Sequence, residues 1–253
     1  MSYERKVYIK MNIFEHKSRI QFCDVDEFNH LSKRGLLRIL GEVAGLHSDL
    51  AGYGLNQTSS THLTWMLLDW KVKTFLTPCW NTTLTIKTWP RNFTRISSQR
   101  DFEVYGDNNE LVAIASSRWV LINSITGSIS KITPEMISAY GNGFEKSVFN
   151  TSVNDKEHEP ANADFVYNYT IKRRDLDTNH HVNNLYYLDY AYDALPQDCY
   201  NQEFNNIEII YKQQIKYNAL INCFYHYDSE KKQHIVIIKN DDLSITHSII
   251  KFY

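Results

Sequence analysis

Apolar and polar residues alternate through two long stretches of this chain, and a helical run interrupts each stretch. Val7-Tyr8-Ile9-Lys10-Met11 alternates as a strand does. Leu36, Ile39, Leu40, Val43, Ala44 and Leu50 then fall on one face of a helix, with Ser32 as N-cap and Gly52 and Gly54 at its end. Strand-like segments follow at 63–72, 82–89 (closed by Pro90), 97–105 and 111–122. Gly106-Asp107-Asn108-Asn109 and Thr126-Gly127 supply turns. One strand, one long helix and four long strands predict a curved antiparallel sheet wrapped around a helix. From Thr133 to Asn162 the pattern breaks. Pro134 opens a short helix through Ala139, and Gly141, Gly143 and the polar run 150–162 read as a linker. Alternation resumes over 164–171. A polar loop then runs into a second helix, whose face is marked by Leu185, Leu188, Tyr192 and Leu195, whose N-cap is Asn183 or Asn184, and which Pro196 stops. Strands are expected at 207–214, 220–227, 233–239 and 244–253.

The two stretches echo each other. Asp24-Val25-Asp26-Glu27-Phe28-Asn29-His30-Leu31 recurs as Asp175-Leu176-Asp177-Thr178-Asn179-His180-His181-Val182, each copy directly before a helix. The same element order surrounds both copies, which implies a tandem duplication. The expected division is a first unit over 1–132, a linker over 133–162 and a second unit over 163–253.

Composition narrows the function classes. The 253 residues are 43% hydrophobic, enough for real cores, and a net charge of −2 argues against a nucleic-acid-binding protein. Cys23, Cys79, Cys199 and Cys223 are scattered with no CxxC pair, so neither a metal site nor a disulfide framework is expected. The first residues lead into an alternating segment and not an apolar signal core, and no stretch approaches about 20 apolar residues. No membrane insertion is expected, and the cytoplasm is the simplest compartment.

The candidate chemistry lies in Arg173-Arg174-Asp175-Leu176-Asp177-Thr178-Asn179-His180-His181-Val182-Asn183-Asn184. If this segment is extended, the alternating Asp177, Asn179 and His181 share one side of the chain. They stand beside a helix N-terminus whose free N–H groups favour negative charge. A carboxylate, an amide and an imidazole so placed can activate a water and stabilise an oxyanion. An ordinary capped loop accounts for the same residue types. His180 is expected to point the opposite way. Asp26 and His30 read as structural, and His47 as a satisfied helix histidine.

Several further fragments carry a family resemblance. They are Asp24-Val25-Asp26 with His30, Glu42-Val43-Ala44 with His47, Trp65, Thr88-Trp89-Pro90, Arg100-Asp101-Phe102, Ala115-Ser116-Ser117-Arg118-Trp119-Val120, and Arg173 to Asn184. In this order they resemble the acyl-acyl-carrier-protein thioesterases over nearly the whole chain. The resemblance implies an α+β tandem double hotdog, two antiparallel curved sheets each wrapped around a long central helix. It implies hydrolysis of fatty acyl-acyl carrier protein, with the first hotdog shaping the acyl tunnel and the second carrying Asp177, Asn179 and His181. The implied partner is acyl carrier protein bearing a phosphopantetheine-linked acyl chain. No cofactor is needed, and monomer and homodimer are both compatible.

One departure concerns the family's Glu-Cys pair, which Gln214 and Ile215 replace here. Ile215 cannot act as a nucleophile, and Gln214 orients a water without accepting its proton. Trp65 and Met66 are expected in the tunnel wall. Arg173 and Arg174, with Arg91, Arg95, Arg100 and Arg118, form either a cationic rim for the acidic carrier or scattered solvated charges on strand faces, and both readings stay open. Acyl-CoA hydrolysis, a hotdog dehydratase and a non-catalytic acyl-binding module stay open as alternatives.

Overall fold

The computed structural model describes residues 13–151, 153 and 159–253. The strand expected at 7–11 lies outside them. The first described strand is β1 (Phe14–Arg19), in which half-buried and exposed residues alternate. It forms an outer edge of the sheet, and its charged side chains, with Glu15 near Lys87, blunt that edge.

Helix α1 (Lys33–Leu50) starts where the Ser32 hydroxyl accepts from Gly35 N. It buries Leu36, Leu37, Ile39, Leu40, Val43 and Ala44, as the apolar spacing predicts. Gly52, at φ +85°, turns the chain at its end, a backbone conformation that glycine adopts without strain. A short α2 (Thr58–Thr61) leads into β2 (Leu63–Thr74), β3 (Thr83–Arg91), β4 (Ser97–Tyr105) and β5 (Leu111–Asn123). Pro90 lies inside β3 instead of closing it. Pairing with β1 has ended by Thr88, so no neighbour on that side needs an N–H from Pro90.

Helix α3 (Pro134–Ala139) begins at a Thr133 cap. The chain after it crosses the face of the first sheet opposite α1, where Trp89 Nε1 donates to Lys146 O (2.8 Å) and Val148 N to Asp101 Oδ2 (3.0 Å). The second half contains β6 (Asp164–Thr170), α4 (Asn184–Asp193), β7 (Asn206–Tyr211), β8 (Leu220–Asp228), β9 (Gln233–Asn240) and β10 (Thr246–Phe252).

The strand order is β1-β3-β4-β5-β2-β7-β10-β9-β8-β6. Reading outward from the β2–β7 junction, each strand of the first half has its counterpart in the second. The two curved sheets anticipated from sequence therefore share an edge and form one ten-stranded sheet. Across that edge Trp70 faces Ile209 and Lys71 faces Glu208. A single apolar core runs through both halves, from Ile20 and Leu36 to Leu188, Ile250 and Phe252.

Two elements of the second half differ from expectation. β7 stops at Tyr211, because both Lys212 N and Gln213 N turn to His247 O and lead the chain off the sheet. On α4, Leu188 is buried as predicted, but Tyr192 is 38% exposed, while Tyr187, Tyr190 and Ala191 are buried. The helix packs against α1 as well as its own sheet, with Arg34 Nε 2.9 Å from Asp189 Oδ2, so more than one stripe is covered.

Candidate active site

The polar loop before α4 is a turn and not the extended segment expected. Leu176 and Val182 bridge antiparallel, Asp177 N donates to His181 O (2.8 Å), and His180 N donates to Asp177 O (3.1 Å). His180 occupies the left-handed region at φ +61° and is exposed, so its side chain leaves the loop. Asp177 Oδ1 accepts from Asn179 N (2.8 Å) and His181 N (3.3 Å). Asp177 thus holds His181 through its backbone N–H and not through its imidazole. Asn179 is exposed and His181 half-buried, and His181 Nδ1 is buried with no hydrogen-bond partner. An unpaired buried ring nitrogen costs about 1–3 kcal/mol, a local departure that suits a functional position.

Asp175 anchors this loop and was not singled out as a site residue from sequence. Its buried carboxylate accepts from Lys172 N (2.7 Å) and the Tyr169 hydroxyl (3.0 Å), and its carbonyl accepts from Asn183 N (2.8 Å). The repeated Asp-x-Asp was the available signal. In the first half Asp24 does the same work, accepting from Gln21 N and paired with Arg38. Asp26 Oδ1 likewise accepts from Phe28 N and His30 N, and Asn29 takes the left-handed position of His180. The duplication therefore extends to individual hydrogen bonds. It breaks at the chemistry, since Phe28 stands where Asn179 does.

At the start of α4, Asn183 Oδ1 accepts from Leu185 N (3.0 Å) and Asn183 O from Tyr186 N (2.9 Å). Asn184 N–H, the first of the helix, has no intrahelical acceptor. The segment after β7 pairs with the loop, as Val182 N donates to Ile215 O (2.9 Å) and His181 bridges Lys216. Gln214 is exposed beside it, its amide 3.6 Å from the Met66 sulfur. Gln214 thus meets Met66 one residue before the segment that pairs with the His181 loop, whereas Ile215 is buried core.

Trp65, the neighbour of Met66 on β2, turns the other way, as strand geometry requires. It lines a cavity of about 190 Å³ in the first half, together with Gly41, Gly45, Trp119, Arg100 and Tyr140. A Cβ placed on Gly41 or Gly45 would meet nothing within 4 Å, so these glycines leave room along α1.

Three of the arginines named for a rim are engaged elsewhere, while Arg95 is exposed. Arg91 pairs with Asp101 (2.7 Å), Arg118 with Asp69 (2.8 Å), and Arg100 lies inside the cavity wall. These three serve the sheet because alternation on β3, β4 and β5 turns them onto its faces. Arg173 and Arg174 are exposed at the loop, Arg174 Nε 3.6 Å from Asp175 Oδ1. Among the described residues no cluster of His, Cys, Asp and Glu is arranged to hold a metal, and no helix is long and apolar enough to cross a membrane.

Two five-stranded sheets, each with a helix entered through the same Asp-anchored loop, define a hotdog-type double unit. The acyl-ACP thioesterase N-terminal domain model matches residues 11–140 and the C-terminal domain model residues 158–252, so the chain belongs to the acyl-ACP thioesterase family. It is 24% identical over 207 residues to an oleoyl-acyl carrier protein thioesterase of Coriandrum sativum, covering 74% of this chain and 55% of that one. It spans about half the length of the curated relatives it matches. An acyl-ACP thioesterase structure from Bacteroides thetaiotaomicron superimposes with a TM-score of 0.83 at 22% identity, covering 95% of this chain and 97% of the other. The 12:0-ACP thioesterase of Umbellularia californica gives 0.78 at 20% identity, with 96% of each chain covered. These structural likenesses establish the fold.

Proposed function

We propose that this protein hydrolyses the thioester of fatty acyl-acyl carrier protein by direct attack of water, releasing a free fatty acid. The observation that supports the reading is the pairing of residues 215–216 with the second-half loop, Val182 N donating to Ile215 O and His181 bridging Lys216, which carries Gln214, one residue earlier, toward the start of α4. His181 acts as general base. Its Nδ1 is buried, leaving Nε2 to take the proton from water and return it to the departing thiol. Asn179 and Asn184 N–H receive the carbonyl oxygen as charge develops on it. Gln214 orients the water, and Asp177 keeps the loop in shape. A covalent route through position 215 is closed, because Ile215 has no nucleophile.

In this reading residues 1–132 supply the acyl pocket with Trp65 at its wall, residues 133–162 form the linker, and residues 163–253 supply catalysis. Met66 supports Gln214 from the first half. Arg173 and Arg174 meet the acidic carrier and its phosphate. All four cysteines are unpaired, which suits a reducing compartment, and we assign the chain to the cytoplasm as a monomer or homodimer.

The test is a panel of acyl-ACPs and acyl-CoAs of graded length, assayed with wild type and His181→Ala. Thiol release favouring acyl-ACP, lowered about 10²–10⁴-fold in the variant, is the expected result. Equal turnover by His181→Ala would remove the mechanism. Preference for CoA would reassign the carrier. Tight acyl-ACP binding without cleavage would make the chain an acyl-binding module, a reading that Gln214 and Ile215 in place of an acid and a thiol keep in view.

A further inference from the structure

Arg100 presents an unusual electrostatic situation. It is 6% exposed and stands in the wall of the first-half cavity. Its Nη1 is 2.9 Å from His47 Nδ1 and 3.3 Å from Thr88 Oγ1, and its guanidinium lies 5.8 Å from the centre of the Tyr140 ring. Among the described residues no carboxylate pairs with it. The neighbouring Asp101 projects to the opposite face and is held there by Arg91, Ser116 and Val148.

His47 cannot offset the charge. It stacks on Phe14 (5.0 Å), meets Tyr140 edge-on (5.4 Å) and is driven down to about pKa 3 by burial and by Arg100. Its Nδ1 is then an acceptor for the guanidinium. Arg100 itself is lowered only to about 10 and stays a cation at neutral pH. A buried cation supported by neutral acceptors and a ring face alone has lost hydration that no anion replaces. The space beside it is open, lined by Gly41, Gly45 and Trp119.

We propose that this cavity is a binding site for an alkyl carboxylate, with Arg100 receiving the carboxylate and the apolar wall receiving the chain. The planar guanidinium fork suits a carboxylate, and burial strengthens the pair. Two sources share this chemistry. One is an acyl substrate whose far end carries a carboxylate, which would make the thioesterase selective for ω-oxidised chains. The other is a free fatty acid, the product of the proposed reaction, entering head first and competing with substrate. The inference rests on reading the cavity as the acyl pocket, but not on turnover.

Trp65 and Trp119 line the cavity and supply a fluorescence signal. Decanoate and 1-decanol are titrated against wild type and against His181→Ala, so that binding is read apart from catalysis. Wild type should bind decanoate about tenfold or more tightly than decanol, the scale of one hydrogen-bonded charge. Arg100→Met should erase that preference, and Arg100→Lys should keep part of it. Gly45→Leu, which fills the cavity from α1, should weaken both ligands and serves if the Arg100 variants do not fold. Equal binding of the two ligands by wild type, a preference that survives Arg100→Met, or undiminished binding of both ligands by Gly45→Leu would overturn the proposal. In kinetics, a lower KM for the decanedioyl than for the decanoyl thioester identifies the substrate source. Competitive inhibition by decanoate, lost in Arg100→Met, identifies the product source.

Discussion

Asp177 shows how a residue chosen for chemistry can act through geometry. Its carboxylate accepts two backbone N–H groups of its own turn, one of them from His181. Replacing it with Ala should lower stability by about 1–3 kcal/mol, the scale of a charge-assisted bond, and lower kcat by displacing His181. Asp177→Asn keeps an acceptor oxygen in place and should retain most of both. The melting temperature and kcat of the pair decide the matter. If Asp177→Asn lost as much kcat as His181→Ala while remaining folded, the charge would be acting on the imidazole directly. His47 makes a different prediction. Its folded pKa, about 3, lies below the ordinary 6.5, so under pH 6.5 the unfolded chain binds a proton that the folded chain refuses. Its contribution is therefore complete above pH 6.5 and is lost as pH falls toward 3, at up to about 1.4 kcal/mol per pH unit. Urea unfolding from pH 4 to 7 should show a shallower dependence for His47→Gln than for wild type. Identical slopes would mean that His47 is charged in the fold.

At the scale of elements, α1 and most strands were legible because burial imposes a period. Leu36, Ile39, Leu40 and Val43 all face the core, and β4 has the predicted limits. The end of β7 was not legible. Residues 212–214 have no turn residue to stop a strand, and only the capture of Lys212 N and Gln213 N by His247, far along the chain, takes them off the sheet. The loop residues Asp177, Asn179 and His181 could be named from their types and the repeat. Their arrangement could not, because an alternating run and a turn closed by Leu176 and Val182 share one sequence. The place of Arg100 was not legible for a related reason, since charge alone does not reveal which face of β4 carries it.

Glycine in α1 adds a testable contrast. At Gly35 a Cβ would lie 2.1 Å from Asp24 O, where the helix crosses the first loop, so Gly35→Ala should cost about 1–3 kcal/mol or more. At Gly45 a Cβ meets open cavity, so Gly45→Ala should stabilise by about 1 kcal/mol through helix propensity. The same methyl intrudes on the proposed acyl site, and activity should fall most on the longest chains. Chemical denaturation and a chain-length series measure both effects. A Gly45→Ala variant with an unchanged chain-length profile would place the acyl group elsewhere.

At the scale of the whole molecule, duplication gave two equivalent loops, and divergence left them with different work. The second pairs with Ile215 and Lys216, while the first pairs through Leu31 and Pro78 and carries Phe28. The proposed chemistry therefore sits on one half and the cavity on the other, with β2 carrying Trp65 to the cavity and Met66 to Gln214. Such a division works only if the halves keep register. Among the described residues they are held by features that include the β2–β7 ladder, the Arg34–Asp189 contact between α1 and α4, and an apolar core continuous through both halves. Neither five-stranded sheet has its own closed edge at the junction, and isolating a half would expose both a strand edge and a large apolar surface. The full chain should therefore unfold in urea as a single transition, with far-UV dichroism and tryptophan fluorescence coinciding. Asp substituted for Ile209, buried opposite Trp70, should shift that transition to lower urea without splitting it. Two separated transitions in wild type would mean that each half is stable alone. The junction would then be a hinge between independent units, and register between cavity and catalytic loop would have to be restored on binding substrate.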